Sequence, residues 1–446
     1  MTDERDGDGL KTAIGLPSAV MLVVGGVVGV GIFVNPAVVA RFVHSPVLAL
    51  AAWGFGGVVA LLGAFIYAEL AGRLPATGGE YQYLREAYGP LVGFLFGWTT
   101  LLVVHAGGLA AVAIVLAKNV GVLTGGRIAD SWTVVLTLAA LAGINCLGVK
   151  SGDKTQAALG ALKVAAILAV VAAGLSLAPH ISARPAPGAV GGGLATVKAF
   201  GAALIPVLFS YGGWQTANYV AGEVKQSGRN LALALLIGVL AVIALYLLVN
   251  VACLRALGID GLGATLTPAS DVLGRAAGPI GAKLAAGAVA LSALAFLSQG
   301  MLTGPRVIFA MARDGLFFRA AGVVGATSRA PVAAILIMAA WTGVLALSGS
   351  YEHILSYVIA MNFLFFGISA SSLFVLRARG VGEGGFRAPF HPWSTGLFIL
   401  ACALVVANAF WSFPIDSLIG YAIMAAGVAP YLYWRARSRA ATGVGA

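Results

Sequence analysis

Apolar residues in this chain gather into runs of about twenty or more, separated by short stretches of polar residues, glycine and proline. About 20 helical residues cross the roughly 30 Å hydrocarbon core of a bilayer, so each run reads as a membrane-spanning helix. The pattern predicts twelve spans, at about residues 16–40, 47–72, 91–117, 132–148, 155–177, 196–221, 231–256, 280–311, 332–348, 353–376, 394–412 and 416–434. The first, third and eighth are long enough to be tilted or bent. The fold class that follows is an all-α polytopic membrane protein in which one bundle accounts for nearly the whole chain.

Two spans break the pattern. In the first, Gly25-Gly26-Val27-Val28-Gly29-Val30-Gly31-Ile32-Phe33 places four glycines within seven residues. Each costs a helix about 1 kcal/mol relative to alanine. Backbone groups freed in hydrocarbon cost several kcal/mol unless satisfied. In the sixth, Phe209-Ser210-Tyr211-Gly212-Gly213-Trp214-Gln215 follows Pro206. Close helix packing through small residues is the alternative reading of either break alone. Matched breaks in two halves of a chain instead point to inverted repeats around a site at mid-membrane. The halves are residues 12–177 (spans 1–5) and 196–377 (spans 6–10), followed by 394–434 (spans 11–12), with tails at 1–11 and 435–446. A broken helix offers free N–H groups where its outer half begins and free C=O groups where its inner half ends. Such a site fits a zwitterion. A carboxylate would meet the N–H groups of Val30 to Ile32, and an ammonium the carbonyls near Val27, Val28 and Phe209.

Composition and charge narrow this picture. Of 446 residues, 60% are hydrophobic and 10% charged, against roughly 25% charged in soluble domains. The net charge of +11 raises nucleic acid as a partner only until the charges are placed. With the N-terminus in the cytoplasm, most Lys and Arg fall on the cytoplasmic side, and Arg41, Lys118, Arg127, Arg184, Arg255 and Arg275 on the other. This is the positive-inside pattern, with both termini cytoplasmic and no nucleic-acid partner. Residues 1–10 carry no basic n-region, so no cleavable signal peptide is expected. Cys146, Cys253 and Cys402 show no metal-ligand spacing and read as small core residues; neither metal nor cofactor is expected. Residues 73–90 read as a short amphipathic helix between Gly and Pro stops, residues 312–330 likewise, and the outer loop 178–195 as irregular.

Ionisable residues inside spans are candidate functional groups. Lys163 lies about eight residues into span five, roughly 12 Å deep at 1.5 Å per residue. It reads as a fixed cation or a proton-exchanging amine, with snorkelling as the alternative. His105, near the middle of span three, reads as a neutral imidazole bonded to a neighbouring helix, able to titrate near neutral pH. Arg306, Lys198 and Lys283 lie nearer span ends and read as snorkelling. Ser292, Ser298 and Gln299 read as interhelical hydrogen bonds. Glu69 sits near the cytoplasmic end of span two, and no carboxylate falls at mid-depth. That argues against cationic cargo and a carboxylate proton relay, and for a net-neutral ligand.

These residues resemble a known family. Gly29-Val30-Gly31-Ile32-Phe33 is similar to the span-one glycine signature of the amino acid–polyamine–organocation (APC) transporters. Tyr67-Ala68-Glu69-Leu70, Pro75, Gly78-Gly79-Glu80-Tyr81 and Tyr88-Gly89-Pro90 resemble that superfamily's loop between spans two and three. Phe209-Ser210-Tyr211-Gly212-Gly213-Trp214 with Asn218-Tyr219-Val220, Glu223 and Arg229-Asn230-Leu231 resembles its L-type amino acid transporter (LAT) branch. The resemblance covers about residues 12–435. It implies a LeuT-like 5+5 inverted repeat of twelve helices, the first and sixth unwound at mid-membrane. It implies binding of a neutral amino acid by Val27, Val28, Gly29, Val30, Gly31, Ile32, Phe209, Ser210, Tyr211, Gly212, Trp214 and Gln215, with Val104 and His105 as weaker lining. Phe209 would be the gate, and Lys163 would stand at the vacant sodium position. Departures are Val30 in place of a small or hydroxylated residue, Gln215 for a common Asn, and His105 where eukaryotic members tend to have Arg. Residues 118–131 contain no Cys, so no disulfide-linked ancillary subunit is implied, and a monomer is the expected form.

The expected function is sodium-independent transport of neutral L-amino acids by alternating access, as an exchanger, across the plasma membrane (in a bacterium, the inner membrane). A proton-coupled uptake symporter using Lys163 or His105 is the alternative, and a sensor with a transporter fold a third reading. A membrane-embedded enzyme is disfavoured by the lack of a midplane Ser/His/Asp set, metal cluster or Asp pair.

Overall fold

The computed structural model describes residues 12–179, 193–348, 351–382, 385–412 and 414–442. The N-terminal tail 1–11, residues 180–192 of the outer loop and the final residues 443–446 lie outside the described residues. The chain runs through α1 (Leu16–Val27), α2 (Gly31–Val43), α3 (Pro46–Arg73), α4 (Glu80–Tyr88), α5 (Pro90–Thr99) and α6 (His105–Thr124). It continues through α7 (Asp130–Cys146), α8 (Val149–Ser176), α9 (Leu194–Ser210), α10 (Ser227–Ala264), α11 (Pro268–Ala277) and α12 (Gly281–Thr303). The last elements are α13 (Pro305–Arg313), α14 (Val332–Ser348), α15 (Tyr351–Ala378), α16 (Trp393–Ser412), α17 (Pro414–Ala426) and α18 (Val428–Thr442). A 3₁₀ segment, Trp214–Glu223, follows α9, and a π-helical turn, Thr100–Val104, joins α5 to α6. The one bridge among the described residues pairs Ile14 with Val224 and ties the chain start to the end of the 3₁₀ segment.

Among the described residues, nine helices are long and apolar enough to cross a membrane, or ten with the bent pair α1–α2 taken as one span. The stretches read as spans four and nine fall on α7 and α14, apolar helices of 17 residues each, short of the roughly 20 that a perpendicular crossing takes. Large apolar side chains such as Val47, Trp132, Leu136, Leu404 and Trp411 are exposed on the outside of the bundle, the surface a lipid environment would cover.

Local chemistry sets the breaks. The 73–90 stretch forms α4 between Gly79 and Gly89, whose positive φ angles of 51° and 91° end helices on either side. The expectation for 312–330 does not hold. Gly315 at φ 73° stops α13, and only Arg319–Gly322 makes a helical turn, of 3₁₀ type.

Packing then positions the interrupted segments. α10 lies against α3 and α1, α2 against α9, and α12 against α6 and α8. Trp53, Tyr211 and Tyr246 meet edge-on or tilted, with ring centroids 5.1–5.9 Å apart. Arg306 is a correction: it does not snorkel. It is fully buried and bonds both oxygens of the equally buried Glu223, at 2.6 and 3.0 Å. A carboxylate within hydrogen-bonding distance across the bundle outweighs the reach to water. Glu69, at the same end of the bundle, is held by Arg73 (2.8 Å), Arg377 (2.6 Å) and the amide of Ala388 (2.7 Å).

Candidate functional site

The first interruption is built from missing helix bonds. α1 stops at Val27, α2 starts at Gly31, and the two axes bend by 45°. The amides of Gly29 to Ile32 therefore sit where a helix start leaves N–H groups without intrahelical partners. The carbonyls at the end of α1 are met by side chains from elsewhere. The buried ammonium of Lys163 donates to the Gly25 oxygen at 3.1 Å and to the Val28 oxygen. The Tyr246 hydroxyl lies 3.1 Å from the Val27 oxygen and 3.0 Å from the Ser210 oxygen, sharing one proton between the two interruptions. Ser292 donates to the Gly29 oxygen at 3.2 Å. A cation and hydroxyls at a helix C-terminus complement its partial negative charge.

The second interruption closes on itself. α9 ends at Ser210 and the chain turns through Gly213 at φ 109°, a conformation that glycine adopts without steric cost. Gln215 Oε1 accepts from the Gly213 amide at 3.0 Å, and Thr216 donates to the Gly213 oxygen at 2.7 Å. Gln299 reaches Thr216 from α12 at 2.7 Å. The two interruptions touch: a Cβ on Gly26 would stand 2.6 Å from the Gly213 oxygen, and one on Gly213 would overlap the Gly26 carbonyl. Only glycine at both positions permits this crossing.

Around the crossing lies a cavity of about 130 Å³. Of the residues selected from sequence, Val27, Gly29, Val30, Gly31, Val104, His105, Phe209, Ser210, Gly212 and Gln215 line it. Val28, Ile32, Tyr211, Trp214 and Lys163 do not. Val28 turns its carbonyl to Lys163, and Ile32 faces Ile167 and Val249 on the far side of α2. Tyr211 packs on Trp53, and Trp214 on Tyr67 and Phe366. These two aromatics, on either side of the turn at Gly212–Gly213, pack into the core behind the site. Residues that the sequence reading missed are Gly108, Phe296, Val358, Asn362 and Tyr219 on the cavity wall, with Asn35 and Tyr246 behind it. Asn35 carried a usable signal: it is a lone amide within an apolar run. It bonds Ser210 Oγ at 2.6 Å and Pro206 O at 3.0 Å, joining α2 to α9. The others become visible only when helices distant in sequence converge.

His105 sits directly after the π-helical turn, and its Nε2–H donates to the Gly300 oxygen at 3.0 Å. That is an interhelical bond, as expected for a neutral imidazole. None of the lining residues is Asp, Glu, Lys or Arg. Val30, Gly31 and Phe209 also border a second, wider cavity of about 840 Å³ between α2, α6, α9 and α11. Phe209 therefore stands between the inner cavity and a vestibule open to one face of the bundle.

A family model described as amino acid permease matches residues 14–430. The chain belongs to the amino acid permease family. This permease is 31% identical to the serine/threonine exchanger SteT of Bacillus subtilis (strain 168) over 411 residues, 90% of this chain and 92% of that one. It is 28% identical to the human large neutral amino acids transporter small subunit 2, over 96% of this chain and 82% of that protein. It is 27% identical to the rabbit (Oryctolagus cuniculus) b(0,+)-type amino acid transporter 1, over 84% of this chain and 78% of that protein. The permease is thus an APC-superfamily transporter resembling the LAT branch, a multi-pass membrane protein and not an enzyme.

Proposed function

We propose that this permease exchanges neutral L-amino acids across the plasma membrane by alternating access, without sodium. The observation that carries the reading is the crossing of two helix interruptions at Gly26 and Gly213 inside one cavity. There the amides of Gly29 to Ile32 meet the substrate carboxylate. The ammonium approaches the α9 end near Phe209 and Gly212, since Lys163 and Tyr246 already occupy the carbonyls at the end of α1. The absence of charged lining residues supports a net-neutral cargo. The ammonium of Lys163 on the Gly25 and Val28 oxygens supports sodium independence, because a fixed cation fills the place where carbonyl oxygens would collect a metal ion. The named activities of the relatives, a serine/threonine exchanger and a large neutral amino acid transporter, favour exchange and neutral substrates.

In this reading the nine long helices, the bent pair and the shorter α7 and α14 make the twelve spans of a LeuT-like 5+5 repeat, with α1–α2 and α9 with its 3₁₀ continuation as the paired broken helices. Both termini face the cytoplasm, so the vestibule opens outward and Phe209 is the outer gate. The chain works as a monomer without a disulfide-linked subunit.

Exchange in proteoliposomes tests this. Uptake of labelled serine or leucine requires internal unlabelled amino acid, proceeds in sodium-free buffer and is not driven by a pH gradient. Uptake into empty vesicles driven by a pH gradient would replace exchange with proton symport. Binding without flux would make the protein a sensor. Gly29→Leu abolishes substrate binding while the protein still inserts; retained wild-type affinity would remove the site.

A further inference from the structure

Three carboxylates are buried among the described residues: Glu69, Glu80 and Glu223. Two are matched by arginine, Glu69 by Arg73 and Arg377, Glu223 by Arg306. Glu80, at the start of α4, is 1% exposed and has no such partner. Its oxygens accept from two hydroxyls on different elements, Tyr67 of α3 at 2.7 Å and Tyr219 of the 3₁₀ segment at 3.0 Å. Tyr83 and Ser369 also face it, and their hydroxyls are buried without another protein partner. A buried carboxylate with no cation beside it takes up a proton instead.

The charges on the surrounding elements are committed elsewhere. Asp314, after α13, holds Tyr81 and Arg85. On α15, Arg377 is on Glu69, and just after it Arg379 donates to the Glu86 backbone oxygen. On α13, Arg306 is on Glu223, and Arg313 also has a partner. The remaining titratable neighbours are His105 of α6, whose ring lies 6.1 Å from that of Tyr219, and the buried thiol of Cys402 on α16, which faces Tyr67.

Tyr219 makes this arrangement functional. It lines the inner cavity, and its hydroxyl reaches Glu80, which borders neither that cavity nor the vestibule. Tyr67, the other donor, stacks edge-on against Trp214 at 4.8 Å. A path from the cavity to the cytoplasm has to part Tyr219 from α4 and let water reach Glu80. Resting on the transport reading above, we propose that Glu80 is a proton-binding site of the cytoplasmic gate, read out at the substrate cavity through Tyr219, and that its proton holds the gate closed.

The sign follows from linkage. Burial pushes the Glu80 carboxyl up to about 7 while the gate is closed. In an open gate, water returns it to the ordinary carboxylate range. The closed form therefore binds the proton more tightly, so acid favours closure and alkali favours opening, by up to tenfold per pH unit below the closed-state value.

Inside-out membrane vesicles put the cytoplasmic face in the bath and set its pH. The initial rate of labelled serine or leucine exchange is expected on the order of tenfold lower at about pH 6 than at about pH 8. Glu80→Gln, a fixed neutral mimic, gives a slow rate at both pH values with melting behaviour like that of the wild type in acid. Tyr219→Phe removes one donor to the carboxylate and moves the half-point of the profile to higher pH. It answers the question even if Glu80→Gln fails to fold. A wild-type pH profile in Glu80→Gln, or an unmoved half-point in Tyr219→Phe, overturns this inference and leaves exchange standing. A wild type that exchanges neither amino acid at any pH overturns the transport reading and this inference with it.

Discussion

The two interruptions do the same job by opposite means. The break between α1 and α2 is held by Lys163, Tyr246 and Ser292, each more than a hundred residues away in sequence. At the break after α9 the Gly213 amide and carbonyl are held locally by Gln215 and Thr216, two and three residues away, while Tyr246, Asn35 and Gln299 reach only Ser210 and Thr216 beside it. A backbone held by its own neighbours keeps its shape wherever the surrounding helices move. A backbone held by three other helices changes when any of them does. The first interruption is thus the natural moving part, and the second the natural fixed platform. α2, after the first break, and Phe209, before the second, form the border between the inner cavity and the wider one.

Substitutions at named residues can break or sharpen this contrast. The largest effect is expected at the crossing, which both interruptions share. Gly213→Ala forces a residue with a Cβ into φ 109° and against the Gly26 carbonyl; the conformation alone costs about 1–3 kcal/mol. Exchange should fall to background in proteoliposomes with the protein still in the membrane fraction. A wild-type rate would mean that the two breaks do not cross as described. Lys163→Met comes next. It leaves the Gly25 and Val28 oxygens without their buried donor, at about 1–3 kcal/mol for each orphaned group. Exchange rates are expected to drop by about tenfold or more, since 1.4 kcal/mol corresponds to tenfold.

Tyr246→Phe removes the one proton shared by Val27 and Ser210 and should cost about 1 kcal/mol. A few-fold loss of rate is expected, and its effect together with Lys163→Met should depart from the sum of the two, because both act on the end of α1. The smallest effect belongs to the local cap. Gln215→Ala removes one acceptor from the Gly213 amide, and the rate should stay within about threefold of wild type, in keeping with a net hydrogen-bond value of about 0.5–1.5 kcal/mol. If Gln215→Ala proves as damaging as Lys163→Met in the same assay, the distinction between moving part and platform disappears.

The same contrast explains what could be read in advance. Helix breaks at Gly25–Gly31 and Gly212–Gly213 are local events, visible as glycine within apolar runs. So are α4 between its glycines and the neutral character of the site, which follows from the absence of mid-depth carboxylates. The placement of Trp214 and Tyr211 was not legible, because the rings they pack on, Tyr67 and Phe366 for one and Trp53 and Tyr246 for the other, come from helices distant in sequence. Arg306 was misplaced for a related reason: whether a long cation snorkels or stays buried depends on whether a carboxylate, here Glu223, faces it across the bundle. The cavity residues Gly108, Phe296 and Asn362 have unremarkable neighbours in sequence and acquire a role only by convergence of α6, α12 and α15.

By itself, then, the order of residues determined an all-α membrane protein, the family it belongs to, and the two places where its helices must stop. Apolar length and glycine content act on adjacent residues, so a one-dimensional pattern carries them. Tertiary structure decided who satisfies the broken ends, which side chains face the cavity, and that Glu80 is buried without a counter-ion. Those are properties of pairs of residues brought together by packing, and electrostatics inside a bundle depends on distances in space rather than spacing along the chain.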